Sequence, residues 1–308
     1  MQLKKENNKL FHYPNWRIWS GLLLLAVVIF IYFSLNPGYP RLAIFWIFGL
    51  VFGFVLQRSQ FCFVSGFSNL YIFRYGNMLK GILIGLAIAT IGFAVIMYRL
   101  VPDPATNTIP ATAHVAPLGW HLVLAGIIFG TGMILAGSCI VGTLYRIGEG
   151  AVKALVSLLG ILIGMALLLH TWNWWWPNYI SQLPRVWLPE FIGWPGSVLS
   201  VLAVLGLLFI IIHFLESRNN QKDTSSIKAQ IGLQALGSGN RLNKIIKTVF
   251  RTYWPVMLGG IVLALVNIAQ YWAVGRPWGI TGEISSWSTG MLNLIGLPPP
   301  LVIAVPGT

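Results

Sequence analysis

Two cysteines interrupt the apolar runs of this sequence. Cys62 lies in RSQFCFVSGF and Cys139 in GSCIVGTLYRIGEG; Arg58 precedes the first by four residues and Arg146 follows the second by seven. In a featureless apolar helix a thiol is an inert small hydrophobe. Beside a cation, in a stretch broken by glycine and serine, it can do chemistry. Short half-helices flanking such a break aim N–H groups and positive dipole ends at an anion, and arginines at the mouth raise the local anion concentration. A neutral thiol is a weak, polarisable donor, poorly matched to hard oxyanions and better matched to soft sulfur. The pattern points to a passage for a small anion that carries sulfur.

The residues expected to line that passage are Cys62, Cys139, Arg58, Gly66, Gly137, Gly142, Arg146 and Glu149. Gly137 and Gly142 would let backbone approach the ion. Arg146 would draw it in, and Glu149, three residues on, would pair with Arg146 or accept a proton. Arg58 and Arg74 have an alternative as charge anchors at a helix end. His114, His121, His170 and His213 lack metal-ligand spacing, and two separated cysteines suggest neither a zinc cage nor a disulfide framework, so free thiols and no metal are expected. There is no Gly-x-x-x-x-Gly-Lys-Ser/Thr run, and no cofactor is expected.

The elements that must hold these residues are membrane helices. Hydrophobic residues make up 56% of the chain and charged residues 9%, with mean hydropathy +0.75; no ordinary soluble core hides that much apolar surface. The expected fold is an all-α integral membrane bundle. Uncharged stretches run over 18–35, 42–57, 81–98, 104–145, 154–184, 191–215 and 252–275, most of them near the roughly 20 residues a span needs. That gives seven spans before the last segment. No small-residue cleavage pattern follows the first stretch, so it is expected to stay.

The net charge of +13 reports topology, not a nucleic-acid partner. With the N-terminus inside, all but Arg41, Arg99, Arg185 and Arg276 of the 20 lysines and arginines fall on the cytoplasmic side. Attraction to anionic membrane lipid is a secondary effect. A bacterial inner membrane with a cytoplasmic N-terminus is the expected location.

Three regions follow: a first membrane half (1–215, about six spans and both cysteine segments), a basic cytoplasmic linker (216–251) and the start of a second membrane half (252–308). Within the linker, 242–250 reads as a basic amphipathic helix on the lipid surface. Six tryptophans between Trp172 and Trp194 suit an outer interfacial belt. The segments 56–77 and 137–150 are too apolar for loops and too broken for spans, which makes both re-entrant candidates. RSQFCFVSGF followed by GNML also resembles RPWGITGE followed by GML: Phe61-Cys62 matches Trp278-Gly279, and Ser65-Gly66 matches Thr281-Gly282. Entering from opposite faces by the topology count, the copies suggest an inverted repeat and add Trp278 and Thr281 to the passage.

GSCIVGTLYRIGEG, preceded by GIIFGTGMILA, resembles the cysteine signature of the YeeE/YedE membrane proteins. RSQFCFVSGFSNL is similar to that family's first short motif, and PWGITGEISSW to the stretch opening its second half. The resemblance covers essentially the whole chain. It implies a transporter-like fold with an hourglass interior, in which Cys62 and Cys139 contact the terminal sulfur of thiosulfate or a related compound in turn. Some members of the family are associated instead with selenium metabolism. A cytosolic TusA-like sulfurtransferase is the implied partner. The family's second half supplies another Gly-Cys motif, whereas Gly279 stands at the repeat-related position here; truncation, a separate polypeptide completing the second half, or a different use of the two-thiol half would each account for that.

The leading expectation is a permease for thiosulfate or a related small sulfur-containing anion, not an enzyme. The alternatives are a membrane sulfurtransferase that passes persulfide sulfur, or a selenium species, to a cytosolic acceptor, and a membrane scaffold whose thiols are incidental.

Overall fold

The computed structural model describes residues 26–34, 40–103, 115–216 and 254–297, and among these every regular element is helical. In chain order they are α1 (26–34), α2 (Pro40–Ser59), α3 (Phe63–Phe73), α4 (Asn77–Leu100), α5 (Trp120–Ala136), α6 (Ile140–Gly148), α7 (Val152–Trp175), α8 (Leu188–Leu215), α9 (Val256–Val274) and α10 (Ile280–Leu294). Six of the described helical segments are long and apolar enough to cross a bilayer. The protein is a multi-pass, all-α membrane protein. The first apolar stretch is described only over 26–34, and of the expected linker only Glu216 lies among the described residues.

The chain divides into two compact units, 1–51 and 52–308. In the first, the half-buried Trp46 indole N–H donates to the Val28 carbonyl at 3.3 Å. All that follows concerns the second unit.

Its most extensive helix contact joins α4 to α9, one helix from each expected membrane half. Lipid tails are as apolar as leucine, so helices in a membrane are held by close packing, which small residues permit. Gly81 and Gly85, four apart on α4, face Gly260 of α9: a Cβ built on Gly85 would lie 2.8 Å from the Gly260 carbonyl oxygen. α8 also packs on α4, and α10 on α7, where the Ser288 hydroxyl donates to the Leu162 carbonyl at 2.9 Å.

The uncharged run 104–145 does not form one continuous helix. α5 begins at Trp120 and stops at Gly137, whose φ of 66° is the left-handed cap that glycine adopts without a Cβ clash. α7 runs into a π-helical turn over Trp176–Ile180 because Pro177 has no N–H for the α-helical ladder. The Ser181 N–H then reaches back to the Trp176 carbonyl at 2.9 Å. Non-helical Gly193 and Pro195 kink α8 near its start. The tryptophans expected to form a belt lie on or beside these two elements, with Trp172 stacked on Trp176 at 5.7 Å and Trp187 edge-on to Trp194 at 5.8 Å.

A buried ion pair ties α4 to the end of α8. Lys80 pairs with Glu216 and contacts His213 Nδ1 at 3.3 Å, and Glu216 also accepts the Gly76 N–H at 3.3 Å. Lys80, a topology charge in the sequence reading, is thus internal, its charge met by a partner distant in sequence.

Candidate functional site

The same device appears three times: a long helix ends on a left-handed residue, the chain extends briefly, and a short helix begins. α2 gives way to Gln60 (φ 47°) and then to Cys62, the N-cap of α3. α5 gives way to Gly137 (φ 66°) and Cys139, the N-cap of α6. α9 gives way to Gly275 (φ 83°) and Gly279, the N-cap of α10. Both cysteines therefore stand at helix N-termini, where unpaired N–H groups and the positive dipole end lie.

The two thiols meet. Both are free and buried, with Cys62 0% and Cys139 7% exposed. The Cys139 sulfur accepts the Gly142 N–H at 3.3 Å, as a serine N-cap would, and the Cys62 side chain and Phe63 N–H adjoin it. Around the Cys62 sulfur are the Cys139 side chain and N–H and the Ser65 N–H and hydroxyl. Gly142 explains how this fits. A Cβ there would lie 3.1 Å from the Cys62 sulfur and 3.5 Å from the Cys139 sulfur, so the absence of a side chain is what lets both sulfurs pack against this turn.

A chamber of about 200 Å³ adjoins the pair, and Cys139, Phe61, Phe63, Trp278 and Asn267 are in its wall. The rest of the lining is apolar and comes mainly from α2, α4 and α9. Phe52 stacks on Trp278 at 4.6 Å, and the Trp278 N–H donates to Asn267 Oδ1 at 2.8 Å. Cys139 alone of the two thiols lines the chamber, so it is the first met from there.

The charged residues take other positions. Arg146 donates to the Gly137 carbonyl at 2.9 Å, filling an acceptor that the end of α5 leaves open. Glu149 accepts from Gln57 Nε2 at 3.4 Å. The pairing of Arg146 with Glu149 allowed by their spacing is not formed; ion pairs join Lys80 to Glu216 and Arg276 to Glu283 instead. Arg58 sits over the Phe54 ring at 5.6 Å, and its carbonyl accepts the Trp254 N–H at 3.0 Å, which joins the end of α2 to the approach of α9. Gly66 is buried, and a Cβ there would meet Leu79 at 3.0 Å. Thr281 is exposed on the first turn of α10 and lies outside the chamber wall.

Three features escape the sequence reading. Ser138 and Thr143 share a buried hydroxyl hydrogen bond of 2.7 Å, and the Thr143 hydroxyl lies 3.0 Å from the Cys139 carbonyl, which fixes the start of α6. The serine and threonine flanking Cys139 in GSCIVGT were the available signal. Asn267, within the apolar run of α9, gave none beyond its polarity. The third is the Lys80–Glu216 pair.

A family model described as "Sulphur transport" matches residues 58–302. "Probable transporter YedE" of Salmonella typhimurium (strain LT2) is 31% identical over 180 residues, covering 58% of this chain and 42% of that protein. "Thiosulfate transporter TsuA" of Escherichia coli (strain K12) is 34% identical over 122 residues, covering 39% of this chain and 32% of that protein. Its namesake from Spirochaeta thermophila is 30% identical over 164 residues, covering 52% and 46%. The chain thus spans less than half the length of the relatives it matches.

Proposed function

The chain belongs to the sulphur transport family, and on that premise we propose that it carries thiosulfate or a related small sulfur-containing anion across the bacterial inner membrane, past Cys139 and then Cys62. The observation that carries this reading is the convergence of the two thiols, each on a helix N-terminus, against Gly142. Burying a bare dianion in an apolar chamber is costly. Two positive helix ends reduce that cost for the oxyanion end, and the thiols offer the terminal sulfur a soft, weak contact. Successive weak contacts let an ion leave as readily as it enters.

Trp278 and Asn267 shape the approach, and Arg146 holds the end of α5 that presents Cys139. The charge distribution supports a cytoplasmic N-terminus and linker. A cytosolic TusA-like sulfurtransferase would take the delivered sulfur.

The adjacency of the thiols also favours a second reading, a membrane sulfurtransferase. There the Cys139 thiolate attacks the outer sulfur of thiosulfate, the sulfur–sulfur bond breaks, sulfite leaves with its electron pair, and the resulting persulfide lies within reach of Cys62. Thiosulfate labelled separately on its two sulfurs, offered to the chain in proteoliposomes, distinguishes the two. Transport brings both labels inside in equal amounts. Transfer leaves the outer label on protein and the inner label in sulfite. Neither result in a correctly inserted chain would overturn both.

A further inference from the structure

We propose that Cys62 and Cys139 together form a two-coordinate site for a soft monovalent d10 cation, copper(I) or silver(I). This goes beyond the passage of a sulfur anion and does not depend on it.

The ligand set comes first. Thiolate sulfur selects soft cations such as copper(I) over hard ones. Among the described residues no group of three or more histidine, cysteine or acidic side chains could hold a metal ion. A tetrahedral zinc cage is therefore not on offer there. A pair of sulfurs is what a linear d10 ion takes.

The space comes second. Both sulfurs converge on one glycine: a Cβ built on Gly142 would lie 3.1 Å from one and 3.5 Å from the other, so an ion lying between the sulfurs reaches both. An ion entering through the chamber meets Cys139, 7% exposed, and is then closed in against Cys62, 0% exposed. Burial of this degree limits the access of water.

Charge comes third. Binding one monovalent ion displaces a proton from each thiol, so the product carries a single negative charge and releases two protons per ion. An anionic centre in an apolar interior needs compensation. Here the N-termini of α3 and α6 both face it, and the Gly142 N–H already donates to the Cys139 sulfur at 3.3 Å. An ion held between the thiols would close any route that passes between them.

The test uses the purified full chain, without oxygen, titrated with copper(I) supplied as its bicinchoninate complex, with X-ray absorption of the loaded protein. One copper(I) per chain is expected to leave the chelator, two protons to be released, and the absorption spectrum to fit two sulfur donors. Loss of a group that merely orients a metal ligand costs about 10–100-fold in affinity. Cys62→Ser and Cys139→Ser, each removing one of two ligands, should therefore weaken binding by at least about 100-fold. Copper(I) remaining with the chelator, a spectrum of one sulfur with oxygen or nitrogen donors, or either variant binding within about tenfold of the unaltered chain would overturn the site. The spectrum of the unaltered chain decides the matter even if a serine variant fails to fold.

Discussion

Cys62 and Gly279 begin their helices with nearly the same backbone: φ −145°, ψ 126° at the cysteine and φ −146°, ψ 121° at the glycine. These are the positions that the RSQFCFVSGF and RPWGITGE motifs align. The conformation is extended and open to any residue, so Gly279 does not need to be glycine. Nothing lies within 4 Å of a Cβ built there. Gly279→Cys should leave the thermal midpoint in detergent within about 2 °C, a change of less than roughly 1 kcal/mol, while the titratable thiols of the unfolded chain rise from two to three. A fall of more than about 8 °C would mean that the position needs glycine.

Gly142 stands between the thiols, and its substitution separates packing from passage. In Gly142→Ala the new methyl meets Cys62 Sγ at 3.1 Å, Ser138 Cβ at 3.3 Å and Cys139 Sγ at 3.5 Å. Overpacking at this level costs about 1–3 kcal/mol, which a stable chain survives. Thiosulfate uptake, normalised to folded protein in the membrane, should fall several-fold because the methyl crowds both sulfurs. Unchanged uptake in a folded Gly142→Ala protein would take this contact out of the route.

Much of this site was legible because its signals are local. Glycine and serine punctuate the apolar runs beside Cys62 and Cys139, and helices do break there. The short match of Phe61-Cys62 to Trp278-Gly279 was enough to locate a third break of the same design. Partnerships between distant residues were not legible. Spacing allowed Arg146 to meet Glu149, but the left-handed turn at Gly137 brings a carbonyl within 2.9 Å of the guanidinium instead. Lys80 read as one more topology charge because Glu216 is far along the chain. A hydropathy window over 104–145 also cannot register where a helix stops, since the stop is a backbone angle at a single glycine.

Close approach of α4 and α9 should make Gly85 intolerant of any side chain. A Cβ on Gly85 would lie 2.8 Å from the backbone oxygen of Gly260, which cannot turn aside, whereas nothing lies within 4 Å of one on Gly126. Gly85→Ala should therefore cost about 1–3 kcal/mol, and Gly126→Ala should stay within about 1 kcal/mol of neutral, with helix propensity in its favour. Thermal or denaturant unfolding of the two variants in one detergent gives the comparison. Equal effects would contradict the packing described.

Breaking the Lys80–Glu216 pair should be costly from either side. Their side chains are 8% and 10% exposed, and removing one member of a buried pair leaves an uncompensated charge, typically worth about 3–5 kcal/mol. Lys80→Met and Glu216→Leu should each destabilise strongly, and the double substitution should recover most of the loss. A double variant as unstable as the sum of the singles would show that the two charges act separately.

The most direct test of the thiol passage is uptake of labelled thiosulfate by sulfur-starved bacterial cells lacking their own importers, comparing this chain with its Cys62→Ser and Cys139→Ser variants at equal membrane expression. Uptake by the unaltered chain, lost when either thiol is replaced, is the predicted result. Uptake that survives replacement of both cysteines would contradict the account.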